Sequence, residues 1–253
     1  MTDSKLRFSD RVENYVRYRP DYPAELVDAL IELCQLNASS AIADIGSGTG
    51  CFSHRLLSKG LSVTAVEPNK EMRAAAEAQL SHFEGFNSVD GSAEQSSLQD
   101  ASVDFIVAAQ AFHWFRFAET LREFIRILKP TGSVALVWNQ RKLQSPFQSD
   151  YDVMLRQHAP EYSSANHMNI SDEAIPQFYD RRSFQIRDFE NSQNFDLSGF
   201  IGRMQSSSYT PAKGLPGHDA LVTAATELFR QHEVDGRIRF EYNTRLYFGK
   251  LNT

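Results

Sequence analysis

The residues best placed for chemistry lie between Ala41 and Gly50, AIADIGSGTG. Three glycines spaced Gly46-x-Gly48-x-Gly50 follow an acid, Asp44, at the end of a short apolar run, Ala41-Ile42-Ala43. Glycine has no Cβ, so a strand-to-helix turn built from it bends sharply and lets a ligand approach the main chain. A second acid, Glu67, closes the next apolar run, Leu61 to Val66, 21 residues after Gly46. On neighbouring parallel strands that spacing puts a carboxylate where ribose hydroxyls are received. The chemistry implied is recognition of a nucleoside-bearing ligand. A dinucleotide fingerprint, Gly-x-Gly-x-x-Gly, would need glycine at position 51, and that residue is Cys.

A second unusual stretch is Gln110-Ala111-Phe112-His113-Trp114-Phe115. His113 is the candidate general base, because histidine titrates near neutrality; packed against Trp114 it would be structural instead. Trp114 has the size of a core aromatic or of a pocket wall. The lead-in Lys5 to Pro23 is rich in tyrosine and arginine, and Tyr15, Tyr18, Arg19 and Tyr22 could cover a ligand at the glycine turn. Side chains of this kind also coat plain surface. The histidines at 54, 82, 158, 167, 218 and 232 share no metal-ligand spacing, so no metal is expected. Cys34 and Cys51 are the only cysteines, which argues against a disulfide framework or a zinc site.

The elements that would position these groups follow from periodicity. Val27, Leu30, Ile31 and Cys34 share one helical face behind Pro23. Strands are expected over 41–45, 61–66, 86–89, 103–109 and 133–138, with a helix capped by Asn69 and another carrying Phe117, Leu121, Phe124, Ile125 and Leu128. Lys129-Pro130-Thr131-Gly132 reads as the stop of that helix. Such alternation predicts a parallel sheet with helices on both faces. Residues 139–182 break the rhythm; they are polar, hold three prolines and one helix near Phe147 to Gln157, and suit a lid. The chain returns to strand over Phe184 to Phe189, then to helices over Asp196 to Gln205 and around Leu221 to Phe229. It ends in the alternating strand Ile238 to Phe248.

At 253 residues the chain is expected to be one domain, with 1–23 as an arm and 139–182 as a lid. A net charge of −6 argues against a nucleic-acid partner. No run reaches the length of a membrane span, and a cytoplasmic location is the expectation.

Asp44 with the Gly-x-Gly-x-Gly turn resembles motif I of the class I S-adenosylmethionine (SAM) methyltransferases. With the elements in order, the likeness extends over nearly the whole chain. It is similar in particular to the branch that includes the trans-aconitate methyltransferases of fungi, through Arg17 to Pro23, Ala111 to Phe115, Arg203 to Tyr209 and Phe240 to Thr244. The resemblance implies a Rossmann-like, seven-stranded, mostly parallel sheet whose last strand runs antiparallel between the fifth and sixth. It also implies that Asp44, Gly46, Ser47, Gly48 and Gly50 hold the methionine end of SAM and Glu67 the ribose. Pro68 and Met72 would flank the adenine, with Ser92 and Ala93 at its polar edge. Gln110 would lie beside the sulfonium, and Tyr15 and Arg19 would be further ligand contacts. Many members carry an acid where this chain has Ser92, and Thr131 replaces a turn glycine. Arg141 reads as a solvated arginine, with recognition of an acidic acceptor as its alternative. The activity implied is methyl transfer to a small molecule, most directly O-methylation of a carboxylate or hydroxyl. C- or N-methylation, or SAM binding without transfer, are the alternatives.

Overall fold

The computed structural model describes residues 12–163, 174–180 and 183–251. Lys5 to Arg11, and residues 164–173 and 181–182 of the expected lid, lie outside the described residues. After α1 (Val12–Tyr18) and α2 (Ala24–Cys34), strands and helices alternate. They are β1 (Ile42–Ile45), α3 (Cys51–Leu57), β2 (Val63–Val66), α4 (Lys70–Leu80), β3 (Phe86–Val89) and β4 (Val103–Ala109). A 3-10 turn over Phe112–Trp114 leads to α5 (Phe117–Ile127) and β5 (Leu128–Arg141). The rest comprises α6 (Pro146–His158), α7 (Ala174–Phe178), β6 (Gln185–Phe195), α8 (Leu197–Gln205), α9 (His218–His232) and β7 (Ile238–Gly249).

The sheet has seven strands in the order β3-β2-β1-β4-β5-β7-β6. The pairs from β3 through β5 are parallel, and β7 is antiparallel to both β5 and β6, as the resemblance implies. The central strands are buried on both faces, and alternate residues feed two separate cores. Ile42, Phe105, Val107, Ala135 and Val137 pack with Leu26 and Leu30 of α2 and Phe52 and Leu56 of α3. Ala43, Ile45, Ile106, Ala108 and Leu136 pack on the other face with Phe124 and Ile127 of α5 and Phe178 of α7. A period of two along each strand makes this division, and helices on both faces keep the strands from water.

A third core lies beyond the carboxyl end of β5. There Phe147, Tyr151 and Leu155 of α6 meet Phe200 and Met204 of α8, Leu221 and Phe229 of α9, and Phe240 of β7. Residues 146–158 are therefore a packed helix over one end of the sheet. No helix among the described residues is long and apolar enough to cross a membrane.

Two boundaries differ from expectation. Helix α5 ends at Ile127, and Lys129 to Gly132 belong to β5. The register there jumps from Val103↔Leu128 to Phe105↔Ser133, so the four residues form a wide bulge that accommodates Pro130. The Lys129 ammonium meets Asp104 of β4 at 2.8 Å and ties the bulge down. Strand β6 runs to Phe195, six residues past Phe189, and pairs with β7 as far as Ile238. It is an edge strand, so polar residues such as Asn191 and Gln193 are tolerated and hide it from a reading based on apolar runs.

The segment 18–21 is held over the sheet edge by side-chain amides. Asn139 Nδ2 donates to the carbonyls of Pro20 and Asp21 at 3.3 Å, Asn191 Nδ2 to Asp21 at 2.7 Å, and Gln193 Nε2 to Tyr18 and Arg19 at 3.3 Å. The Tyr18 ring lies so near Gly202 of α8 that a Cβ there would come within 2.1 Å of it. Gly202→Ala is expected to expel the ring and release the arm. Trypsin cleavage after Arg17 should accelerate about fivefold or more, because local opening governs such cuts. An unchanged cleavage rate would mean that the amides alone dock the arm.

Candidate functional site

The carboxyl ends of β1, β2 and β4 open onto a cavity of about 580 Å³. Its floor is the glycine turn. Gly46, Gly48 and Gly50 all have positive φ, +70°, +58° and +82°. The Gly46 and Ser47 N–H groups donate to the Val66 carbonyl at 2.9 and 3.2 Å, which fastens the turn to β2. Only two of the three glycines face the cavity. Gly50 is turned toward α4, where a Cβ would lie 2.5 Å from Leu80 Cδ1, so it serves close helix packing and does not line the site.

Glu67 is buried at the tip of β2. Its Oε2 accepts from the Gly48 N–H at 2.9 Å and its Oε1 from the Asn69 N–H at 2.8 Å. Asn69 in turn caps α4 by accepting from the Met72 N–H at 2.9 Å. One carboxylate thus ties the glycine turn to the next helix, and each oxygen keeps a lone pair for a ligand hydroxyl. Burial raises the Glu67 pKa, against the lowering effect of those two N–H donors.

Asp44 is the other buried acid, 1% exposed. Its Oδ2 accepts from Ser53 Oγ at 2.7 Å, while Oδ1 has no partner among the described residues. Burial pushes its pKa up to about 7, and repulsion from Glu67 adds to the shift. A half-satisfied buried carboxylate is costly unless a donor or cation completes it. Ser47 Oγ is likewise buried without a partner among the described residues.

The other expected residues largely converge on the same cavity. Arg19, Pro68, Met72, Ser92, Ala93, Gln110 and His113 all line it. Tyr15 lies in α1, with its side chain outside the described residues. Gln110 has φ +54°, a strained setting for a residue with a Cβ. It is held there by its N–H to Val137 at 2.8 Å and its side-chain amide to Asn139 at 3.2 Å. The His113 ring sits 4.9 Å from that of Trp114, and both face the cavity. Trp114 is half-buried, so its place is the wall and not the core.

Residues that the sequence reading left unassigned also line the cavity, among them Thr49, Asn69, Glu94, Arg116, Ser208 and Tyr209. The one signal for Ser208 and Tyr209 is their place in the stretch Arg203 to Tyr209 that carries the family likeness, and Asn69 is legible only as a helix cap. Arg141 departs furthest from expectation. Its side chain is 12% exposed, with the guanidinium over the Tyr151 ring at 4.8 Å, so it is buried and not solvated. Among the described residues, no group of three or more His, Cys, Asp or Glu could hold a metal ion.

Comparison with known proteins places this geometry. Residues 43–136 match the family described as a methyltransferase domain. An uncharacterized methyltransferase of Mycobacterium tuberculosis is 40% identical over 139 residues, 55% of this chain and 54% of that protein. The chain thus spans about half the length of this relative. A malonyl-[acyl-carrier protein] O-methyltransferase of a Marinomonas species is 29% identical over 133 residues, 51% of this chain and 48% of that one. The solved structure of a candidate type II methyltransferase from Anaeromyxobacter dehalogenans superposes with a TM-score of 0.67 at 22% identity, over 92% of this chain and 98% of that one. The glycine turn, both buried acids and the wall from β4 to β5 lie inside the matched span or directly against it; residues 43–136 match a methyltransferase domain, and the sheet has the strand order of the class I methyltransferase fold.

Proposed function

We propose that this protein transfers a methyl group from SAM to an oxygen of a small-molecule acceptor, a carboxylate or a hydroxyl. The observation that carries the reading is the pair of buried acids at adjacent strand tips, one with an unsatisfied oxygen, on a cavity floored by positive-φ glycines. Asp44 Oδ1 suits the cationic end of a methionyl group, and the turn at Gly46, Ser47 and Gly48 leaves room beside it. Glu67 would receive the ribose, Pro68 and Met72 would flank the adenine, and Ser92 and Ala93 would meet its edge. Gln110 would lie near the sulfonium and Arg19 near a carboxylate.

The cofactor supplies an electrophilic methyl on sulfur, and S-adenosylhomocysteine (SAH) is what remains. The protein's part is orientation and removal from water, which suffice for displacement at carbon. A carboxylate acceptor gives up no proton. A hydroxyl does, and His113 is the group on the cavity wall that would take it. The Marinomonas relative's name supports an oxygen acceptor. The relatives named above do not narrow the reading to the trans-aconitate branch, whose likeness rests on the sequence stretches alone. The arm over 12–21 and the segment from 139 onward are proposed as cover and lid for the same cavity.

Calorimetric titration with SAM and SAH tests the proposal, with Glu67→Ala as the control. Wild type is expected to bind both at micromolar Kd. Glu67→Ala should weaken binding about a hundredfold, because it removes the ribose acceptor and leaves the Gly48 and Asn69 N–H groups without theirs. Folded wild type that binds neither would overturn the reading. Transfer of labelled methyl to a screen of small acids and phenols then separates a transferase from a protein that only binds SAM.

A further inference from the structure

Behind Tyr209, at the carboxyl end of β5, two arginines are buried with little negative charge to meet them. Arg203 of α8 is 9% exposed. Among the described residues its hydrogen-bond partners are neutral oxygens, Tyr242 Oη at 3.3 Å from Nε and Ser207 Oγ at 3.2 Å from Nη1, with the Phe240 ring 6.0 Å away. Arg141 donates to Tyr162 Oη at 2.6 Å and to Asp152 at 3.1 Å, and its Nε has no partner among the described residues. The two guanidinium groups are near enough to repel each other, and both lie beside Tyr151 and Tyr209.

Among the described residues the charges do not balance. Asp152 is the carboxylate paired with this cluster, and it also serves the exposed Arg156. Tyr162 donates its proton to Asp152, and burial pushes its pKa up to about 12, so it contributes no negative charge at neutral pH. Burial drives the Tyr151 phenol higher still. Among the described residues, two buried cations therefore face one shared anion. An uncompensated buried charge costs several kcal/mol, and ring contacts recover only part of it. A purely structural cluster has no reason to keep this imbalance, whereas a site awaiting an oxyanion does.

The cluster adjoins the cavity through the segment 207–209. Ser207 bonds Arg203, and the next two residues, Ser208 and Tyr209, line the cavity. The Tyr209 ring lies 4.9 Å from that of Tyr162, the phenol that Arg141 holds. We propose that Arg203 and Arg141 receive an anionic group of the methyl acceptor, a carboxylate or a phosphate, admitted past Tyr209. The arginine fork matches such an oxyanion with paired, charge-assisted hydrogen bonds. This rests on the cavity being the site of methyl transfer.

The test titrates wild type, with and without saturating SAH, with succinate, glycerol 3-phosphate and uncharged succinamide. One anion is expected to bind below about 10 mM and succinamide not at all. The stronger of the two names the oxyanion. Arg203→Met should weaken the anion at least tenfold, as loss of a charge-assisted bond does, and leave SAH affinity intact. The same variant, free of ligand, should melt no lower than wild type, since it removes an uncompensated charge, and the anion should no longer raise its melting temperature. If Arg203→Met fails to fold, Arg203→Lys keeps the charge without the fork and should still lose about tenfold. Equal binding of succinate and succinamide, no anion binding by wild type, or full anion affinity in either variant would overturn the proposal. Failure to bind SAH would count against the methyltransferase reading alone, because the SAH-free titration still decides the anion site.

Discussion

Asp44→Asn is expected to strengthen the ligand-free protein at pH 8 and to cripple its binding of SAM. The carboxylate is 1% exposed, with one oxygen on Ser53 and the other unpaired. Its folded pKa of about 7 lies above the ordinary 3.8. The folded state therefore holds this proton over a range where the unfolded chain has already lost it. The stability associated with the group is full below pH 4, falls as pH rises toward 7, and stays low above it. At about 1.4 kcal/mol per pH unit the loss at pH 8 is on the order of 4 kcal/mol. Asn preserves the shape and the Ser53 bond without the charge. The difference in unfolding free energy between variant and wild type, measured by urea titration, should grow from near zero at pH 4 to several kcal/mol in favour of the variant at pH 8. SAM affinity should move the other way. In wild type it should rise with pH through 7 as the carboxylate forms, and in Asp44→Asn it should be weaker by about a hundredfold and flat with pH. A variant that is destabilised at pH 8, or that keeps wild-type affinity, would remove Asp44 from the proposed site.

Alanine at Gly46 and at Gly48 should give two different failures, although the residues stand two apart in one turn. Both have positive φ, so either substitution costs about 1 kcal/mol or more in backbone strain. At Gly46 the added Cβ would lie 2.7 Å from Ala111 Cβ and 3.2 Å from the Phe115 ring, which the 3-10 turn holds in place. Overpacking of that kind adds about 1–3 kcal/mol, for a total near 3 kcal/mol and a fall in Tm of roughly 6–12 °C. At Gly48 the nearest atom is Met72 Sδ at 3.8 Å, so the methyl meets no wall. Gly48→Ala should fold with a Tm only a few degrees low, and lose SAM affinity about tenfold or more because its methyl occupies cavity space. Differential scanning calorimetry and SAM titration on the two variants check this. Matching Tm losses would show that the turn is not seated against Ala111 and Phe115 as described.

The local grammar of this chain was legible in its residues. Asn69 caps α4, Ile42 to Ile45 and Val103 to Ala109 form strands, and the acids at 44 and 67 come to neighbouring strand tips. These follow from nearest-neighbour rules: a capping side chain reaches three residues ahead, a strand alternates with period two, and a glycine turn must bend. Their convergence on one cavity follows from the right-handed, parallel winding that such alternation enforces. Gly50 turns toward Leu80 of α4 and away from the cavity lining, a difference not visible beforehand, because a glycine needed for contact and one needed for helix packing look alike in sequence.

What the tertiary structure alone decided concerns partners distant along the chain. Whether the Gly48 N–H faces a ligand or Glu67 depends on how two strands meet. Gln110 is strained because β5 captures it through Val137 and Asn139. Lys129 to Gly132 enter a strand because β4 lies beside them, where propensity alone reads a stop. Most consequential is Arg141, an unremarkable arginine in a polar stretch until Tyr151 of α6 and Tyr162 close over it. Burial is a property of the assembled elements, and it turns an ordinary surface charge into one that must find a partner.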